Sequence, residues 1–198
     1  EALHSQETAT RLAQKLTLPP SDNSEIADLC LELGQPELLD PDMNFTSIIV
    51  KLNSGVESSG IFLEDILNDI SCFLEHYHLK CLFVEKRVQY LVHHIYGSNA
   101  PSPTTLSAVG SYISRQYDCC GKHLIAAGNT VTDISRVYQS YASAVILLLF
   151  LSGKNISYRK HHKTAFPKRT GSGFPAVSGK YFFQIPPCRR GNTLCSVS

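Results

Sequence analysis

The sequence predicts an all-α protein: an antiparallel hairpin of long helices forming a helical bundle, with a short N-terminal helical segment and a disordered basic C-terminal tail. Three observations carry that prediction. Apolar residues recur in a 4–3 rhythm from Leu63 to Ile95, the rhythm resumes from Leu106 to Leu148, and the connection between them, SNAPSP, is a turn by composition. The chain then divides into residues 1–43, short helices; 44–153, the hairpin core; and 154–198, the tail.

Residues 1–17 are polar and amphipathic and stop before Pro19 and Pro20, as a short helix does. Asp22 or Ser24 caps a second helix, EIADLCLELG, which ends at Gly34, and Pro36 opens a further turn, QPELLD. Asn44–Leu52, NFTSIIVKL, has the β-branched run of a strand, yet no second convincing strand offers to pair with it.

The first long seam consists of Leu63, Leu67, Ile70, Leu74, Tyr77, Cys81, Val84, Val88, Leu91 and Ile95. Glu64, Asp65, Asp69 and Glu75 come early in it, and Lys80, Lys86 and Arg87 come late, an order that complements a helix dipole. A continuous helix here spans about 37 residues, roughly 55 Å at 1.5 Å per residue. The second seam runs through Leu106, Gly110, Ile113, Tyr117, Cys120, Leu124, Ala127, Val131, Ile134, Tyr138, Tyr141, Val145 and Leu148. Gly121 and Gly128 interrupt it, so it predicts one helix over 104–127 and another over 130–151. Past Gly153 the periodicity stops, and Gly, Pro, Ser and basic residues take over.

A chain of 198 residues, 43% hydrophobic and 18% charged, can bury a sizeable core. It begins with Glu1, which reads as a fragment or a trimmed chain, and its N-terminus lacks the apolar core of a secretory signal. Seven scattered cysteines read as reduced thiols, and the expected location is the cytoplasm. The net charge of +1 conceals a split: residues 1–85 hold 15 acidic and 4 basic side chains, and residues 86–198 hold 2 acidic and 14 basic. Such asymmetry concerns partners and self-contact rather than fold.

The densest chemistry lies in Ser71–Cys81, SCFLEHYHLKC. On a straight helix Asp69, Cys72 and His76 share one face while His78 and Cys81 share another, so four donors cannot converge on one metal. A half-site from Asp69, Cys72 and His76 would need His123 or His93–His94 to complete it. Cys72 with His76 is surrounded by carboxylates, which discourages a thiolate. Cys119–Cys120 is not a C-x-x-C motif, and no phosphate-loop, dinucleotide-loop, nucleophile-elbow or H-E-x-x-H pattern occurs. Asp65 and Asp69 are spaced as ordinary solvated carboxylates. The sequence therefore assigns no catalytic residue, no metal ligand and no cofactor.

Ala144–Leu151, AVILLLFL, followed by KNISYRKHHK, has the flank of a stop-transfer segment but falls short of the about 20 apolar residues of a span; it reads as a core helix buried all round, with membrane insertion as the alternative. Asn44 and Asn155 sit in N-glycosylation sequons that read as coincidence without a secretory signal. Ile61, Phe62, Ile66, Phe73, Phe83 and Val92 flank the first seam and widen its apolar stripe beyond what two helices need. They are the expected partner-binding residues. The expected function is that of a non-enzymatic, α-helical protein–protein interaction module from a larger cytoplasmic scaffold, tether or adaptor. Its partner would be a protein or a second copy. The rival is a nucleic-acid or anionic-membrane adaptor acting through the basic half, where Tyr158, Phe166, Tyr181 and Phe182 interleave with the cations.

Overall fold

The computed structural model describes residues 2–20, 23–53, 63–87 and 89–160, with backbone alone for 2–3 and 154–160. It places Asn44–Leu52 at the centre of a five-stranded antiparallel sheet, not beside a helical hairpin. The elements in order are helix α1 (Ala2–Lys15), α2 (Asn23–Glu32), strand β1 (Asn44–Leu52), α3 (Leu63–Glu75), β2 (Lys80–Lys86), β3 (Tyr90–Gly97), α4 (Pro103–Gln116), β4 (His123–Ala127), β5 (Val131–Thr132) and α5 (Val137–Lys160). The expected all-α bundle and coiled coil are thus replaced by an α/β architecture in three layers.

The long helix expected over 60–96 breaks after its first third. Leu74 and Glu75 close α3 through Leu79 N–H to Leu74 carbonyl (3.1 Å) and His78 N–H to Glu75 carbonyl (3.0 Å). His78 takes φ 54 at the position where helices usually place glycine, and Leu79 folds back beside Leu74 into the core. A histidine there hides the stop from a sequence reading. Beyond Leu79 the chain forms a hairpin, β2 to β3, turned through Arg87 at φ 59, with register from Lys80↔Tyr96 to Lys86↔Tyr90.

The second seam is also broken. α4 ends at Gln116, where a 3-10 turn over Asp118–Cys120 leads into β4, and a second 3-10 turn over Ile134–Arg136 leads into α5. The shorter expectations at the N-terminus match: α1 precedes the proline pair, α2 stops before Gly34 at φ 71, and Pro36–Leu39 form a 3-10 turn. Of the expected disordered tail, residues 154–160 continue α5, and the remainder lies outside the described residues.

β1 is saturated on every side. Along one edge it pairs with β3 from Asn44↔Gly97 to Lys51↔Tyr90. Along the other it pairs with β4 from Ile48↔Ala127 to Leu52↔His123, and with β5 at Asn44↔Thr132 and Phe45↔Val131. Alternation then sends Phe45 and Ile49 to one face, and Ile48, Val50 and Leu52 to the other. The first face is covered by α1, α2 and α5 through Leu12, Leu16, Leu29, Val137, Ala144 and Leu148. The second is covered by α3 and α4 through Ile66, Ile70, Leu74, Val109 and Ile113. Each fully buried side chain of this size contributes about 1.5–3 kcal/mol.

The double covering explains why the 4–3 rhythm misleads. β2 and β3 are apolar on both faces: Leu82, Val84, Val92 and Tyr96 join one core, and Leu91 and Ile95 join the other. A spacing of four keeps a strand residue on its face and a spacing of three moves it across, so a two-sided strand satisfies both. β2 is an outer strand, and its ends carry Lys80, Glu85 and Lys86.

Among the described glycines, the tightest approach is at Gly128. A Cβ there would collide with the Ser140 carbonyl and meet Ser143 Oγ at 2.8 Å, because α5 rests directly on the β4–β5 connection. Gly128→Ala is expected to cost about 1–3 kcal/mol in urea unfolding. Gly110→Ala in α4, where a Cβ meets nothing within 4 Å, is expected to be neutral or stabilising by up to about 1 kcal/mol.

Candidate functional site

β3 carries two consecutive histidines through the middle of the protein, one to each face, and both are completely buried. His94 Nε2 donates to the Ala13 carbonyl (3.1 Å), which leaves Nδ1 to accept from Ser47 Oγ (2.9 Å). Ser47 N–H in turn donates to Ser140 Oγ (2.8 Å), so one network ties α1, β1, β3 and α5 together. On the other face His93 lies between Tyr117 OH at 3.1 Å from Nε2 and Cys81 Sγ at 3.7 Å from Nδ1. The Cys81 thiol donates to the Leu82 carbonyl, so the pattern that satisfies all groups has Tyr117 donating to Nε2 and Nδ1–H facing the sulfur.

These groups are held neutral. Burial, with the neighbouring His94, lowers His93 to about 3, and burial lowers His94 to about 4 despite the opposing pull of the Ala13 carbonyl. Burial pushes the Cys81 thiol up to about 12 and the Tyr117 phenol well above its ordinary value. A thiol that does not ionise and an imidazole that does not accept a second proton form an inert contact, not a nucleophile and base. The network ties the layers of the fold together.

The stretch Ser71–Cys81 spreads over three elements. Cys72 is exposed on α3, with its backbone carbonyl accepting from His76 Nδ1 (2.9 Å), His78 makes the helix stop, and Cys81 lies on β2. His123 Nε2 contacts Ser114 Oγ at 2.8 Å, and His93 and His94 are bonded within the buried network. Among the described residues no three His, Cys, Asp or Glu side chains converge on a point. Asn44 has its amide donating to the Asp42 and Ser98 carbonyls and is only 8% exposed.

Of the expected partner-binding residues, Ile66 and Val92 are buried in opposite cores. Phe73 is half-buried and stacks on Tyr112 (centroids 3.9 Å, planes 4° apart), and Phe83 is half-buried beside His93. Ile61 and Phe62 lie outside the described residues. The apolar surface of the four described residues is therefore largely spent on the chain's own packing.

An apolar surface does reach the outside, on α5. Val137, Ser140, Ala144 and Leu148 face the sheet, whereas Ile146, Leu149 and Phe150 are 69%, 66% and 49% exposed. The helix expected to be buried all round is buried on one side. Between Arg136 and Lys154 it bears no charged residue. Ile134–Gly153 is long and apolar enough to cross a membrane by length and composition, with 28% of it buried in the fold. Sequence reasoning misses these three residues because AVILLLFL is apolar at every position and periodicity cannot rank its faces. At the start of α5 an open depression of about 360 Å³ is lined by Pro19, Pro20, Asn23, Ser135, Arg136, Tyr138 and Gln139, a set without a carboxylate, thiol or imidazole.

Comparison of the sequence with protein-family models and with curated proteins returns no match.

The two histidines are expected to make the fold acid-sensitive. Their folded-state values lie below the ordinary 6.5, so the unfolded chain binds the extra protons. Their contribution is complete above pH 6.5 and is lost as pH falls toward 4, by about 1.4 kcal/mol per pH unit for each histidine. Urea midpoints measured from pH 7.5 to 4.5 are expected to fall steeply below pH 6.5, and His94→Gln should flatten the slope by about half.

Proposed function

We propose that this chain is a non-enzymatic interaction domain that docks a protein partner on the outer face of α5. The observation that carries the reading is that α5 is apolar on both sides while the fold covers only one. A helix apolar all round is ordinarily enclosed, and Ile146 and Leu149 form the part left for something else to enclose. No acidic residue occurs after Asp133, and Arg136 and Lys154 bracket the uncharged stretch. The complementary surface is an amphipathic helix or groove with acidic residues at its rim. A non-enzymatic reading is supported by the state of the displaced titratable groups: His93, His94 and Tyr117 are enclosed, Cys81 is partly buried beside them, and burial favours the neutral form of each.

The rival reading, an anionic-membrane or nucleic-acid adaptor, draws on the cations after Gly153 and on the length of the apolar stretch. Spanning a bilayer would pull Val137, Ser140, Ala144 and Leu148 out of the sheet's covering layer, so on this fold lipid contact is confined to the outer face.

Ile146→Glu with Leu149→Glu is the test. The double variant is expected to keep the wild-type thermal midpoint within a few degrees, because both side chains are mostly exposed, and to lose at least about tenfold in partner capture. Capture by the wild type should persist at 0.5 M salt, as burial-driven docking does. Flotation of the wild type with phosphatidylserine vesicles, lost in high salt, would favour the rival instead.

A further inference from the structure

The connection between α4 and β4 contains an arrangement that the proposed function does not use. The 3-10 turn over Asp118–Cys120 holds two adjacent thiols with Sγ atoms 3.8 Å apart. They are unequal. Cys119 is exposed, and its thiol donates to the Gln116 carbonyl (3.1 Å), whereas Cys120 is 4% exposed and belongs to the core around Ile113 and Tyr117. Gly121 comes next at φ 86, with nothing within 4 Å of a Cβ placed there, so the turn has room to change shape. Cys30, Cys72 and Cys81 lie on α2, α3 and β2, and Cys30 and Cys81 are raised by burial to about 11 and 12.

We propose that Cys119 and Cys120 form a peroxide-responsive dithiol, in which exposed Cys119 is oxidised and Cys120 closes on it to give a vicinal disulfide. In the first step the Cys119 thiolate attacks hydrogen peroxide. The O–O bond breaks, one oxygen stays on sulfur as a sulfenic acid, and the other leaves as hydroxide, which takes up a proton to become water. In the second step Cys120 loses its proton and its sulfur attacks the Cys119 sulfur. The S–O bond breaks and the oxygen departs as water. Two thiols and one peroxide give one disulfide and two waters.

Cys119 is open to solvent and Cys120 is nearly closed to it, and the second sulfur needs to move by less than about 2 Å to bond. Adjacent Cα atoms lie about 3.8 Å apart, below the usual span of a disulfide, so the ring is strained and readily reduced. Closing it draws the Cys120 sulfur away from the core. Cys120 N–H donates to the Tyr117 carbonyl (3.0 Å), and Tyr117 holds His93, so oxidation of the turn is transmitted to the α4–β4 junction.

Trypsin isolates the pair on one peptide, Gln116–Lys122, QYDCCGK. The full chain is exposed to a small excess of hydrogen peroxide, denatured in N-ethylmaleimide, digested and mapped by mass. The expected product is this peptide unalkylated and lighter by two hydrogens than the dithiol, returned to the doubly alkylated form by prior dithiothreitol. Cys120→Ser is expected to leave a dimedone-trappable sulfenic acid on Cys119, about fivefold above wild type. Cys119→Ser, at an exposed position, should leave Cys120 a thiol. Hydrogen exchange over residues 113–127 should quicken on oxidation of the wild type and be unchanged in Cys119→Ser. A doubly alkylated peptide after peroxide, a disulfide from Cys119 to Cys72 or to a second chain, or equal sulfenic acid with and without Cys120 would each overturn the proposal.

Discussion

The pairing of β1 with β3 is the constraint on which the rest of the structure depends. It decides which side of the sheet receives Phe45 and Ile49 and which receives Ile48, Val50 and Leu52, and therefore which helices each face can hold. A slip of one residue would exchange the two sets. It would also move Ser47 away from His94 and from Ser140, leaving buried polar atoms without partners. The hydrogen-bonded register and the polar network thus enforce the same alignment. The absence of buried side-chain nitrogen or oxygen lacking a partner among the described residues is consistent with that agreement.

Each face solves the presence of a histidine differently. On the α1 and α5 side, His94 bonds to a backbone carbonyl and a hydroxyl, which fixes its tautomer and joins four elements. On the α3 and α4 side, His93 uses a phenol and a thiol, softer partners that also pack: its ring lies 5.8 Å from Tyr117 and 5.2 Å from Phe83. A similar economy appears where Lys86 meets Thr17 and lies 5.2 Å from the Tyr141 ring centroid, tying the β2 end to α1 and α5. Its partial burial lowers its pKa. Polar groups in this protein work mainly as clasps between layers.

The same layering leaves α5 with two different faces. Small residues, Ser140 and Ala144, let the helix sit close over the β4–β5 connection, where Gly128 leaves it room and Asn129 N–H donates to the Ser143 hydroxyl. Bulk accumulates on the opposite side, at Ile146, Leu149 and Phe150. That imbalance connects the packing of the domain to the proposal that α5 engages a partner.

Local signals in the chain determined α1, α2 with its stop at Gly34, the turn at Pro36 and the turn at SNAPSP. Gly, Pro and capping residues act through their own backbone preferences and need no distant contact. The β-branched run Asn44–Leu52 was legible as strand-like, but its partners were not, because β3 and β4 are apolar on both faces and imitate a heptad seam. Only the tertiary structure decided that residues 80–97 form a hairpin, that His78 ends a helix, and that Ile146, Leu149 and Phe150 face outward while Ile66 and Val92 do not. The physical reason is that periodicity records which residues are apolar. Whether such a residue is buried, and against what, depends on which remote segments come to cover it.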